Sequence, residues 1–273
     1  MTDWAGLNLD QRRVMGVLNV TPDSFSDGGD YLDHAAAIAA GLAMVQAGAD
    51  IVDVGGESTR PHAPPTPPDV EQARILPVIR SLARAGVRVS VDTRHAATMA
   101  AALDAGAAII NDVSALAFDP AAAALIAARG CPVVLMHMRG DPSDMHTRAS
   151  YQDVVQEVRH ELAERVAAAE QAGVRREQIT IDPGIGFAKN PAQSMALLRH
   201  LPEIAALGLP VLVGVSRKSF ITVASGERDP RRRLPGSLAA GLFALSRGAA
   251  ILRVHDVAET VQALRVWGAL SGW

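Results

Sequence analysis

The chain has 273 residues, 49% of them hydrophobic and 20% charged, and a net charge of -3 at pH 7. That is a globular composition, long enough for a large core, and its slight negative charge argues against a nucleic-acid surface. No stretch is apolar enough to span a bilayer, Met1-Thr-Asp-Trp has no signal-peptide pattern, and the single cysteine, Cys131, cannot form an internal disulfide, so a reducing cytoplasm is the expected compartment.

The first predicted strand covers residues 14–18. It runs into Asn19-Val-Thr-Pro-Asp-Ser-Phe-Ser-Asp-Gly-Gly29, a polar loop with carboxylates at Asp23 and Asp27. The closing glycine pair reads as a hinge, so the loop is expected to move over its neighbours. Asp33 caps an alanine-rich helix that stops at Gly48. The second strand, 50–54, is followed by Gly55-Gly56 and by proline-rich residues 61–68, a stiff and long connection. Thr66-Pro-Pro-Asp69 places a capping residue ahead of a helix that closes near Gly86.

Strands over 87–91 and 108–111 come next, then a helix bracketed by Asp119-Pro120 and Gly130. The fifth strand is 132–136, entered past Cys131, which reads as structural. Residues 151–173 make the longest and most charged helix, expected to expose one face. The sixth strand, 178–182, ends in Asp182, where Pro183-Gly184 turns the chain away, and Asn190-Pro191 opens another helix. Strands 210–214 and 249–254 complete eight, and Asp256-Val-Ala-Glu259 opens the last helix with a capping-box pattern.

Most of these strands are near-continuous apolar runs, the pattern of parallel strands covered on both faces. Eight strand–helix units share 273 residues at about 34 each, the size of a βα repeat in a closed barrel. An open doubly wound sheet is the rival, but the chain has neither G-x-G-x-x-G nor G-x-x-x-x-G-K-[ST]. The predicted class is therefore α/β, a single (β/α)8 TIM barrel over residues 1–273 with its active site at the C-terminal ends of the strands.

Polar residues at those ends are the functional candidates: Asp53, Asp92, Asn111, His137, Asp182, Lys218 and Arg253. Each has a blander alternative, which for Asp92 is capping the helix that follows. Asp92, Asn111 and Asp182 make a donor-hungry mouth suited to a flat heterocycle with amino and ring N–H groups. Lys218 offsets their charge and donates to a ring acceptor. Arg253 and His255 lie two residues apart on one side of the last strand and read as an anion site. A hard cation takes oxygen ligands, which Asn19 and a diphosphate supply. Of the 26 basic residues only Lys189 and Lys218 are lysines, both after strands; for Lys189 a merely solvated role is equally compatible with the sequence.

These segments carry a resemblance. Met15-Gly-Val-Leu-Asn-Val-Thr-Pro-Asp-Ser-Phe-Ser-Asp-Gly-Gly29, Asp53-Val-Gly-Gly-Glu-Ser-Thr-Arg-Pro61, Ser90-Val-Asp-Thr93, Ile110-Asn-Asp-Val-Ser114, Met136-His-Met138, Asp182-Pro-Gly-Ile-Gly-Phe187, Ser216-Arg-Lys-Ser219, Arg233-Leu-Pro-Gly-Ser237 and Arg253-Val-His-Asp256 run in order through nearly the whole chain. Together they resemble the bacterial dihydropteroate synthase family, the folate-pathway transferases that sulfonamides inhibit. The resemblance implies condensation of (7,8-dihydropterin-6-yl)methyl diphosphate with 4-aminobenzoate, giving 7,8-dihydropteroate and diphosphate. It implies that Asp92, Asn111, Asp182 and Lys218 bind the pterin edge, that Met136, Phe187 and Gly214 pack its ring, and that Arg253 lies over one face. It further implies Asn19, Arg253 and His255 at the diphosphate, with Mg2+ at Asn19; Thr59, Arg60, Pro61 and Ser219 at the 4-aminobenzoate; and Asp23 and Asp27 on a mobile first loop. The reacting centre then involves Asn19, Asp27, Lys218, Arg253 and His255, in a homodimeric cytoplasmic enzyme. His62 and Ala188 stand where the family often has glycine; the first is expected to stiffen its loop and the second to matter little. A methyltetrahydrofolate-binding methyltransferase or a non-catalytic pterin-binding protein would share the floor but have no need of the Thr59-Arg60, Ser216–Ser219 or Arg253/His255 sets.

Overall fold

A computed structural model describes residues 3–21, 34–57, 65–141 and 143–271. Eight strands form one parallel sheet: β1 (Arg13–Asn19), β2 (Ile51–Gly55), β3 (Val89–Asp92), β4 (Ile109–Asp112), β5 (Val133–Met136), β6 (Ile179–Asp182), β7 (Leu212–Gly214) and β8 (Ile251–Val254). They pair in chain order, β8 returns to pair with β1, and an Ile181–Val211 bridge joins β6 to the approach of β7 and completes the ring. The helices packed outside are α1 (His34–Gln46), α2 (Pro68–Arg84), α3 (Ala96–Asp104), α4 (Ala122–Arg129), α5 (Val154–Gln171), α6 (Pro191–Arg199), α7 (Leu201–Ala205), α8 (Ser219–Ser225), α9 (Leu234–Ser246) and α10 (Val257–Ser271). The expected α/β barrel is therefore present, each expected strand within a few residues of its place.

Side chains alternate across each strand, so the barrel has two cores. Val14, Leu18, Val52, Val54, Val91, Ile110, Val133 and Leu135 face outward and meet the helices. Met15, Ile51, Ile109, Val134, Leu212 and Ile251 fill the interior with Trp4, Leu7 and Leu9. Trp4 comes from a short antiparallel hairpin, Asp3–Trp4 with Leu7–Asn8, that closes the N-terminal mouth. Its indole Nε1 donates to Gln178 O at 2.8 Å. One step of alternation higher, the inward positions become Asp53, Asp92, Asn111, Met136, Asp182, Gly214 and Arg253. The charged side chains of these positions therefore lie where the lumen opens, with Ser90 and Thr180 as neutral polar groups one layer below.

Helix ends follow the expected chemistry in part. Asn190 caps α6 with a capping box through Gln193, and Asp153 accepts from Val155 and Gln156 at the start of α5. Gly130 closes α4 in the left-handed region at φ 64°. Thr66, by contrast, is not the cap of α2: Pro67 holds that position, with Pro68 as the first helical residue. Asp119 works across elements as well as locally, its Oδ2 taking the Ala96 N–H of α3 at 2.9 Å and its Oδ1 the Ala121 N–H at 3.0 Å. Asp256 precedes α10 as expected, but its carboxylate is engaged by Arg217. Asp33 lies outside the described residues.

Candidate active site

The polar upper layer surrounds a cavity at the open end of the barrel. Its wall takes Asp92 from β3, Asn111 from β4, Met136 from β5, Asp182 and Phe187 from β6 and its loop, and Gly214 and Lys218 from β7 and its loop. Arg253 and His255 come from β8 and the residues after it. Every residue expected around the pterin thus meets at one place. Asn19 ends β1 in register with Gly55, which is itself in register with Asp92. A Cβ on Gly55 would lie 3.5 Å from Asp92 Cβ and 3.8 Å from Asn19 Oδ1, so the glycine leaves these two side chains facing common space. Ser219 is exposed at the first turn of α8, beside Lys218 but outside the cavity wall. Asp23, Asp27, Thr59, Arg60, Pro61 and His62 lie outside the described residues.

Asp53 organises the floor, although sequence reasoning assigned it no ligand. Fully buried, its Oδ2 accepts from Asn111 Nδ2 at 3.0 Å and from Arg253 Nε at 2.7 Å. Arg253 Nη2 donates to Asp92 Oδ2 at 2.7 Å. A carboxylate only accepts, so the Asn111 amide nitrogen is committed to Asp53 and its Oδ1 is left for the cavity. The signal that marks Asp53 is a charge inside the apolar run Ile51–Val54, at the parity that period-two alternation turns inward. The capping alternative for Asp92 falls away, because α3 begins at Ala96 after His95.

Scarcity of water sets the protonation chemistry. Burial raises Asp92 to about 7, against the pull of Arg253. Burial also raises Asp182 to about 6, although the Gly184 N–H donates to its Oδ1 at 2.7 Å and Lys218 and Arg253 oppose the shift. Burial lowers Lys218 to about 8 in spite of Asp182. Its Nζ lies 3.9 Å from the centroid of the Phe187 ring. Clustered carboxylates and cations with such shifts, at the open end of a barrel, are the signature of a binding or catalytic centre.

The loops carrying these groups are braced from behind. Arg217 adopts φ 60°, a left-handed conformation that costs about 1–2 kcal/mol for a residue with a Cβ. It is held there by Ser237 Oγ, which accepts its N–H at 2.9 Å, by Arg233 Nη1, which donates to its carbonyl at 2.8 Å, and by Asp256, which takes its guanidinium. The Arg233–Ser237 motif thus braces Arg217, the neighbour of Lys218 in the chain. Glu57 joins the two stems of segment 58–64, accepting from Arg94 Nε and Nη2 at 3.1 Å each and from Thr66 N at 3.1 Å.

Ala188, expected to be nearly neutral, has φ 48°. The left-handed region is open to glycine and strained for alanine, which is the physical reason a glycine suits this position. Ala188→Gly is expected to stabilise the fold by about 1 kcal/mol, the strain relieved less the entropy that glycine loses. Urea unfolding checks it, and a destabilised variant would show that packing of the buried methyl outweighs the strain.

The pterin binding enzyme family model matches residues 15–255. The chain is 46% identical over 268 residues to the dihydropteroate synthase of Neisseria meningitidis serogroup C, covering 97% of this chain and 95% of that protein. It is 50% identical over 257 residues to a probable bifunctional folylpolyglutamate synthase/dihydropteroate synthase of Haloferax volcanii, spanning 94% of this chain but only 30% of that longer protein. The solved structure of Xanthomonas albilineans dihydropteroate synthase with 4-aminobenzoic acid superposes with a TM-score of 0.93 at 50% identity, covering 98% of this chain and 97% of that one. With its barrel, its polar strand ends and near full-length matches of this order, the chain belongs to the pterin-binding enzyme family and, within it, to the dihydropteroate synthases.

Proposed function

We propose that the cavity receives (7,8-dihydropterin-6-yl)methyl diphosphate with its pterin edge on the floor and its diphosphate toward Asn19, Arg253 and His255. 4-Aminobenzoate then enters beside Ser219 and the Thr59-Arg60-Pro61 segment, and Asp23 and Asp27 belong to the loop that closes over the mouth. One observation carries this reading: Asp182, Asp92 and Asn111 Oδ1 present acceptors and Lys218 a donor around a single cavity, with Met136 and Phe187 in its wall. That is the complement of a heterocycle with amino and ring N–H donors, a ring acceptor and apolar faces.

In the reaction the C–O bond to diphosphate breaks, a C–N bond forms to the arylamine nitrogen, and one amine proton is released. Diphosphate leaves readily once cations neutralise it, and the electron-rich dihydropterin stabilises positive charge on its methylene carbon. The protein therefore contributes orientation and fixed charge rather than strong acid–base chemistry. Arg253 suits this role because Asp53 and Asp92 hold its Nε and Nη2, leaving Nη1 for a ligand.

Magnesium fits the donor set. Among the described residues no three of His, Cys, Asp and Glu gather as a cation site. Asn19 offers one amide oxygen, which suits an ion that keeps its waters and takes substrate phosphate oxygens. Bound there, it would neutralise the diphosphate. A cytoplasmic homodimer is part of the same reading. Among the described residues no helix is long and apolar enough to cross a membrane. Val266 and Leu270 of α10 stand exposed at an apolar groove shared with α9, a surface that a second copy would cover.

The test is diphosphate release from the purified protein with both substrates and magnesium; release that does not require 4-aminobenzoate would exclude the condensation. A pH profile follows from the same geometry. Asp182 must be ionised to accept from the pterin, and Lys218 must be protonated to donate. The kcat/KM for the pterin substrate is expected to rise through about pH 6 and fall through about pH 8. Asp92, at about 7, titrates within the same set and broadens the rising limb. A flat profile across that window would remove these two groups from the rate.

A further inference from the structure

Lys189, the second of the chain's two lysines, lies buried behind the cavity wall, and no role above uses it. Its Nζ donates to His137 Nδ1 at 2.8 Å and to Phe187 O at 2.9 Å, with His137 O at 3.4 Å. None of these partners is a carboxylate, and burial pulls the amine down to about 7. A buried cation among neutral acceptors is costly for the fold, so its position calls for a purpose.

The partners form a directed chain. The Glu161 carboxylate at Nε2 only accepts, so in the neutral ring the proton sits on Nε2 and Nδ1 accepts from Lys189. Nε2 lies 2.9 Å from Glu161 Oε2 on α5. Burial lowers His137 to about 4, keeping the ring neutral. Glu161 in turn is gripped by Arg139, whose Nε donates to its Oε1 at 3.0 Å, while Nη2 reaches Glu157 at 2.8 Å. At the other end, Lys189 holds the turn that begins at Asp182. That turn contains Gly184 at φ 66° and Gly186 at φ 81°, which contribute no side chains to fix it. It also presses on β5: a Cβ at Gly184 would stand 1.9 Å from His137 O.

We infer that Lys189 is a positioning residue for the pterin subsite, pinning the 182–187 turn to His137 so that the Asp182 carboxylate and the Phe187 ring face the cavity. The inference rests on the pterin reading of the cavity. Phe187 lines the cavity and also receives Lys218 on its ring, so displacement of its backbone would disturb two groups of the pterin subsite at once. Ser219, the described residue of the 4-aminobenzoate set, opens α8 on a different loop, and among the described residues it makes no hydrogen bond to this chain of groups.

The experiment is steady-state kinetics of Lys189→Met, with thermal unfolding alongside. The KM for the pterin substrate is expected to rise about tenfold or more, the loss of roughly one charged hydrogen bond, while the KM for 4-aminobenzoate stays within about twofold. His137→Leu should reproduce this split, and His137→Asn should recover most of it, because an amide oxygen can replace Nδ1 as the acceptor for Lys189. The double variant Lys189→Met with His137→Leu should be no worse than either single one. If Lys189→Met does not fold, the His137→Leu and His137→Asn pair makes the same measurement. An unchanged pterin KM, or both KM values rising together with a lower melting temperature, overturns the inference. Asp182→Asn serves as the control: if it also leaves the pterin KM unchanged, the pterin reading of the cavity is at fault rather than the role of Lys189.

Discussion

Asp182→Asn is expected to weaken binding of the pterin substrate at least a hundredfold while the protein melts at an equal or higher temperature. A carboxylate can accept from both the amino and the ring N–H of a pterin; the amide keeps one acceptor and turns a donor toward the other. Losing a charged hydrogen bond costs about 1.5–3 kcal/mol, and opposing two donors adds to it. Stability moves the other way. Burial raises the folded-state value of Asp182 to about 6 from 3.8, so the proton binds the folded state more tightly. The stability this contributes is complete below 3.8 and is lost as pH rises through about 6. Asparagine carries no such charge, and its oxygen can still accept the Gly184 N–H. The variant's advantage should therefore open between those two pH values, reduced by the partner that Lys218 loses. Calorimetric titration with the pterin and melting curves across that range check both halves. Undiminished affinity would remove Asp182 from the site, and a lower melting temperature would make its carboxylate a support of the fold.

Arg253→Met should cost both turnover and about 3–5 kcal/mol of stability, the usual result of removing one partner from a buried ion cluster. The guanidinium lies between Asp53, which is fully buried, and Asp92, at 2.7 Å from each. Without it, two carboxylates share a poorly hydrated floor, and Asn111 must satisfy Asp53 alone. For a domain of ordinary stability that is a large fraction of the total. Adding Asp53→Asn should restore part of the stability and none of the turnover, since it removes the orphaned charge but returns no cation to the diphosphate. Denaturant unfolding of the two single variants and the double variant, each with its initial rate, is the measurement. If Arg253→Met unfolds like the wild type, the carboxylates do not depend on Arg253, and it serves the ligand alone.

These outcomes divide along the line between local and distant information. The eight strands were legible because a β-branched run closed by Gly, Pro or a polar residue is a local signal, repeated at a constant period. Asp92, Asn111, Asp182 and Arg253 were legible for the same reason: each lies at the end of a strand, and in a closed barrel strand ends are brought together whatever the loops do, whereas Met136, Phe187 and Gly214 came from the family resemblance. The N-terminal hairpin was not, because two strands of two residues carry no periodicity.

By itself, the sequence determined the barrel, the end of it that holds the chemistry, and the polar strand ends Asp92, Asn111, Asp182 and Arg253, since alternation and turn residues act within a few positions of one another. The tertiary structure alone decided how those groups are wired. Asp53 meets Arg253 across 200 positions, Arg253 meets Asp92 across 161, and Lys189 meets His137 across 52. No local pattern encodes which carboxylate takes which donor; that follows from ring closure, which sets β8 beside β1 and presses the β6 turn against β5. The same closure excludes water from the floor and shifts Asp92, Asp182 and Lys218 toward neutrality. Burial of a charge is a property of its whole surroundings, and only the folded chain supplies them.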